Sequence, residues 1–164
     1  MQYQSLEKVK QIAYEPNQIA ISNYNKNKES QEYEACTFTL LNKQIIFRKA
    51  KITPNKAGHF VTTWKRENGA TTPLDNDDAF DFLIISTEDE LHFGQFIFDK
   101  KILLQQGIIS SNNRKGKRGM RVYAPWTAPN NQTALKTKAW QCKYFINFDA
   151  KPAVILFNMR KLFN

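Results

Sequence analysis

Cysteine is nearly absent from this chain. Cys36 and Cys142 stand far apart, form neither a disulfide framework nor a metal-finger spacing, and read as two reduced thiols. Histidine is as scarce, with only His59 and His92. No HExxH, GxSxG, GxGxxG or Walker pattern occurs, which argues against the common zinc-hydrolase, serine-hydrolase and nucleotide-binding α/β templates. No run approaches the roughly 18 consecutive apolar residues of a transmembrane helix. Residues 1–7 (MQYQSLE) lack a basic region followed by an apolar stretch, so no secretory signal is expected. Low-complexity tracts and internal repeats are missing as well. Acidic residues are in deficit, 15 against 24 Lys and Arg, for a net charge of +9. The expectation is a basic, cytoplasmic protein with no membrane contact, folded as a single domain over residues 1–164.

What is present can build one core. Hydrophobic residues are 41% of the chain, and 12 Phe lead the aromatics. Leu6, Val9, Ile12 and Ala13 fall at helical spacing, with Ser5 as the expected N-cap and Pro16 as the stop. The polar stretch from Asn17 to Glu34 reads as a loop leading into a short helix through residues 30–33. From Ala35 the period becomes two, and Cys36–Leu40 with Gln44–Arg48 predicts a hairpin turned at Asn42-Lys43. Turn residues 53–58 precede a strand over His59–Trp64, and Glu67–Asp78 reads as a solvated loop. Phe80–Ile85 is nearly continuous apolar, as in a strand buried on both faces. A strand over Leu91–Phe98, a short helix over Lys100–Gln106 ending at Gly107, and a short strand over Met120–Tyr123 follow. Thr133 is expected to cap a helix over Ala134–Phe145 that presents Leu135, Ala139, Cys142 and Phe145, and residues 153–157 suggest a last strand. This order predicts an α+β fold, a largely antiparallel sheet of five or six strands flanked by N- and C-terminal helices.

Four blocks look familiar. Residues 51–66 (KITPNKAGHFVTTWKR) come first, then 81–86 (DFLIIS), 92–98 (HFGQFIF) and 116–126 (GKRGMRVYAPW). With the helix carrying Gln132, Lys136-Thr137 and Trp140-Gln141, they resemble the MepB-like family over about residues 33–145. The resemblance implies a small bacterial protein with no established activity, and therefore no catalytic residues to carry over.

Chemistry must then be sought in the residues themselves. Arg114–Arg121 holds five positive charges in eight residues, with Gly116 and Gly119 letting the backbone approach an anion, and Tyr123 and Trp126 follow closely. Cations interleaved with aromatics suit phosphate neutralisation and base stacking, although such a run also serves as a solvated loop. A second basic group, Arg48, Lys49, Lys51, Lys65 and Arg66, lies within strands. Arg48 shares a face with Ile46 and Ala50, so it either pairs with a carboxylate such as Asp81 or Glu34 or lines an anion pocket with Lys51 and Lys65. His92 and Gln95, beside Gly94, are either satisfied polar groups or the lining of a cleft.

The enzymatic alternative is a divergent metal-dependent nuclease centred on Asp81 with Mg²⁺ as its cofactor. The acidic-x-Lys triplet that would complete it is replaced by Gln95-Phe96-Ile97. A Cys36 nucleophile with a histidine base, or zinc held by the scattered Cys and His residues, has no local spacing to support it. The sequence favours a non-catalytic basic domain with no cofactor and no metal. Its partner is nucleic acid first and a phosphorylated small molecule second, bound through Arg48, Lys51, Lys65, Arg66, Arg118, Arg121, Tyr123 and Trp126. An accessory protein-interaction domain, basic only for solubility, is the third reading.

Overall fold

A computed structural model describes residues 2–164. Its centre is a six-stranded sheet in the order β1-β2-β3-β8-β9-β11, formed by β1 (Ile21–Lys26), β2 (Cys36–Leu40), β3 (Lys43–Lys49), β8 (Phe82–Glu88), β9 (Phe93–Asp99) and β11 (Phe145–Asn147). Neighbours are antiparallel except β3 and β8, which run parallel. A parallel pair cannot be joined by a tight hairpin. The chain between them makes β4 (Lys51–Ile52), β5 (His59–Thr62), β6 (Trp64–Glu67) and β7 (Ala70–Pro73). A three-stranded sheet, β10-β5-β4, is completed by β10 (Gly119–Val122), while β6 and β7 form a separate hairpin.

Period-two alternation gives the central sheet two buried faces. Phe47, Phe82, Ile84, Phe93 and Ile97 meet Leu6 and Val9 of α1 (Gln4–Val9) and Ile155, Met159 and Phe163 of α4 (Pro152–Phe163). On the other face Leu83, Ile85, Phe96 and Phe98 meet Val61, Met120 and Val122 of the small sheet and Ile102 and Leu103 of α2 (Lys100–Gln105). Burying each such side chain contributes about 1.5–3 kcal/mol. The fold is therefore α+β, with a mostly antiparallel sheet and helices at both ends.

Several elements differ from the sequence expectation. Ser5 lies inside α1 rather than at its cap, buried and donating its hydroxyl to Glu34. The polar segment after Asn17 contains β1, an edge strand with a register shift between Ser22 and Asn25, and the short helix over Gln31–Tyr33 follows it. The first hairpin turns at Leu41-Asn42, both at positive φ, the geometry of a two-residue primed turn. Residues 64–73, expected as strand end and solvated loop, make the β6–β7 hairpin around Asn68-Gly69. The next helix, α3 (Gln132–Gln141), is capped by Asn131, whose side chain accepts from the Ala134 N–H, and not by Thr133. Its inward residues are Ala134 and Gln141, while Leu135 stays 42% exposed. Residues beyond Tyr144 leave the helix for β11. The expected last strand is the helix α4, started by Pro152 in its first turn, where a missing N–H costs nothing.

Candidate anion-binding cleft

β10 is an edge strand of the small sheet, and two segments distant in sequence close around it. On one side α3 places Gln141, wholly buried, against the strand. Its Oε1 accepts from the Tyr123 N–H at 2.8 Å, and its Nε2 donates to the Arg121 carbonyl at 3.0 Å. The side-chain amide thus does what a neighbouring strand's peptide would do. On the other side the turn before β5 fixes the Arg121 guanidinium. Nε donates to the Ala57 carbonyl at 3.0 Å, and Nη2 to the Gly58 carbonyl at 3.1 Å and the Thr53 hydroxyl at 2.6 Å. Gly58 sits at φ +78° against the Tyr123 ring, where a Cβ would come within 2.7 Å of a ring carbon. A side chain at residue 58 would be strained and would collide.

Two cavities flank Arg121 and Tyr123. One, of about 280 Å³, opens between β10 and α3 and includes Lys117, Thr137 and Trp140 in its lining. The other, of about 310 Å³, lies toward the turn and is lined by Asn55, Lys56 and Asn130 among others. Arg121, Tyr123, Asn131 and Ala134 border both, so they are lobes of one cleft. The charged side chains lining it are Lys56, Lys117 and Arg121, with no carboxylate among them.

Of the residues expected to bind, Arg121 and Tyr123 are in this cleft. Arg118 turns away and donates to Thr71, through Nε to the hydroxyl at 3.3 Å and through Nη2 to the carbonyl at 3.1 Å. Arg66 faces the same Thr71 across the β6–β7 hairpin, with its guanidinium 5.7 Å from the Trp64 ring centre. Lys65 is paired with Asp78, and Lys51 lies 4.7 Å over the Tyr33 ring. The structure therefore does not assemble an Arg48–Lys51–Lys65 pocket. Arg48 is only 1% exposed and paired with neither Asp81 nor Glu34. It donates to the Phe47 carbonyl at 2.9 Å and leaves Nε without a partner. Burial, against weaker opposing charges, pulls its guanidinium down to about 10. Lys56 reaches the cleft from the turn before β5, and Asn131, Trp140 and Gln141 reach it from α3 and its N-cap.

Trp126 does not line the cleft. It stacks on His92, with ring centres 4.2 Å apart and planes 10° apart, and meets the edge of Phe145. His92 Nδ1 is 3.1 Å from Asp89 Oδ1. Burial opposes ionisation of Asp89, yet the N–H groups of Leu91 and His92 and the His92 ring hold its carboxyl below the usual carboxylate range. Gln95 is fully buried, its amide unpartnered beside the equally unpartnered Ser86 hydroxyl opposite it. Asp81 lies at the other end of β8, exposed, accepting from the Gln44 N–H at 2.8 Å. Among the described residues no three His, Cys, Asp or Glu side chains are grouped as a metal site needs. Burial pushes the Cys36 thiol up to about 12, far from a reactive thiolate.

Mixed α+β architecture around an antiparallel sheet, with α3 clamped on an edge strand, defines the class. Residues 27–147 match the MepB-like family model, and the chain belongs to the MepB-like family. Its fold is similar to the crystal structure of MepB, with a TM-score of 0.79, 38% identity, and coverage of 91% of this chain and 99% of that one. No curated protein matches the chain significantly. No helix among the described residues is long and apolar enough to cross a membrane.

Proposed function

We propose that the cleft over Arg121 and Tyr123 binds an anionic partner without catalysing a reaction, with nucleic acid the first candidate and a phosphorylated small molecule the second. One observation carries this reading. Three cations, Lys56, Lys117 and Arg121, line a concave polar surface that holds no carboxylate. Lys8, Lys49 and Lys65, by contrast, lie against carboxylates, Glu88 for the first two and Asp78 for the third. Arg121 is pre-organised by its three bonds to the turn, and its Nη1 makes none to the described residues, so a donor is held in place for an incoming oxygen. The nuclease alternative finds no comparable support, since Asp81 stands apart from Gln95 and His92 at the far end of the sheet.

An anisotropy titration with labelled oligonucleotide at low salt tests the reading. Binding in about the micromolar range should weaken steeply as salt rises, because each phosphate contact releases condensed counterions. Absence of binding to any single- or double-stranded probe at low salt, with no binding of phosphorylated small molecules, rejects it.

A further inference from the structure

We infer that the cleft seats one unpaired nucleoside phosphate unit, its base in the lobe between β10 and α3 and its phosphate against Arg121 and Lys56. This rests on the anion reading above and names the ligand for the same site. The two lobes differ in chemistry. Arg121 and Lys56 are joined in the turn-side lobe by the amides of Asn55 and Asn130, a set suited to phosphate and sugar oxygens. Besides Lys117 and the shared Arg121, the α3-side lobe is lined by neutral groups, among them Gln106, Thr133, Thr137 and Trp140.

The edge of β10 adds the specific feature. Gln141 occupies the Arg121 carbonyl and the Tyr123 N–H, so this side of the strand faces α3 and the lobe. By strand alternation the Gly119 carbonyl and the Arg121 N–H point the same way. Beyond the pairing within the sheet, neither makes a hydrogen bond to the described residues. An acceptor and a donor two positions apart on a fixed edge complement the donor and acceptor pattern of a nucleobase. Trp140, half-buried with its ring 5.3 Å from that of Phe98, supplies an anchored indole beside them.

Size favours an unpaired nucleotide. Lobes of about 280 and 310 Å³ lie just below and just above the lower limit of the roughly 300–1,000 Å³ of small-molecule sites. A duplex presents base edges only along its groove floors, beyond the reach of a concave wall, whereas an unstacked base can enter. The same chemistry comes from a free nucleotide or from one residue of a single strand.

The experiment uses the full chain at low salt. A nucleoside monophosphate and ribose 5-phosphate are titrated by NMR, and a short single strand and its duplex by anisotropy. The monophosphate should bind about tenfold more tightly than ribose 5-phosphate, the worth of one stacked base, and shift the Trp140 indole signal. Trp140→Ala should abolish that difference and Trp140→Phe should retain most of it; should the alanine variant not fold, the comparison of the two phosphates decides. The single strand should also outbind the duplex. A further gain of the single strand over the monophosphate identifies nucleic acid as the source, and the reverse identifies free nucleotide. Equal affinity for monophosphate and ribose 5-phosphate, or for duplex and single strand, overturns the base seat while leaving an anion cleft. Failure of every probe removes the anion reading itself.

Discussion

Replacing Arg48 by methionine should stabilise this protein. The guanidinium is 1% exposed, makes one hydrogen bond to the Phe47 carbonyl, and leaves Nε unsatisfied. Burial lowers it from 12.5 to about 10, so the site disfavours the charged form relative to the neutral one by about 3 kcal/mol more than water does. Cys36, the largest opposing influence, is itself pushed up to about 12 and carries no charge near neutrality. Methionine keeps an unbranched apolar stem though a shorter one, gives up one hydrogen bond of about 1 kcal/mol, and removes the buried charge. The expected gain is about 1–3 kcal/mol, inside the roughly 1–4 kcal/mol gained when buried ion pairs are exchanged for apolar side chains of similar volume. Urea unfolding reads this as a midpoint raised by roughly 1 M at unchanged slope. Arg48→Ala should instead lose stability, because the cavity cost returns. A midpoint that falls in the methionine variant would refute the reasoning and mark Arg48 as the centre of a favourable charge network.

Trp126→Ala should cost about 2–4 kcal/mol in urea unfolding, since stacking on His92 and edge contact with Phe145 are lost from a half-buried site. Its anion affinity should be unchanged; a weakened affinity with intact stability would place Trp126 in the binding surface after all. Asp89 gives a pH signature. A carboxyl held below its ordinary value of 3.8 contributes stability that is fully present above that value and lost as pH falls through the lower folded one. Melting temperatures followed downward from pH 5 should show Asp89→Asn with a flatter acid limb, and identical limbs would contradict the assignment.

The parts of the fold that were readable in the sequence are those where a single local pattern governs. Phe82–Glu88 and Phe93–Asp99 are apolar on both faces because both faces are covered, and Gly107 ends the short helix before it at φ +66°. The misread parts are those where the pattern serves something distant. β1 buries only part of Ile21 and Tyr24, so an edge strand carries a polar sequence with no clear alternation. Residues 153–157 are continuous apolar, which suits strand or helix. Ile155, Met159 and Phe163, four apart after Pro152, decide for helix. α3 turns Gln141 and Ala134 inward because it covers a polar edge strand, so the apolar spacing of Leu135 and Ala139 pointed to the wrong face. The basic loop drew attention to Arg121 and Tyr123, which the fold places in the cleft. Lys56, Asn131, Trp140 and Gln141 were hidden because only the fold of the small sheet brings their segments together.

In the reading proposed above, anion binding belongs to the cleft and is not a general property of a chain with net charge +9. Two double charge reversals at exposed lysines separate these. Lys56→Glu with Lys117→Glu alters the cleft, while Lys101→Glu with Lys161→Glu changes the net charge equally elsewhere on the surface. Measured by anisotropy with a short single strand across a salt series, the cleft pair should lose at least about tenfold in affinity at low salt and reduce the log–log salt slope by about two, one per lost phosphate contact. The control pair should change both only slightly. Equal losses from the two variants would contradict the account, since binding would then follow net charge alone.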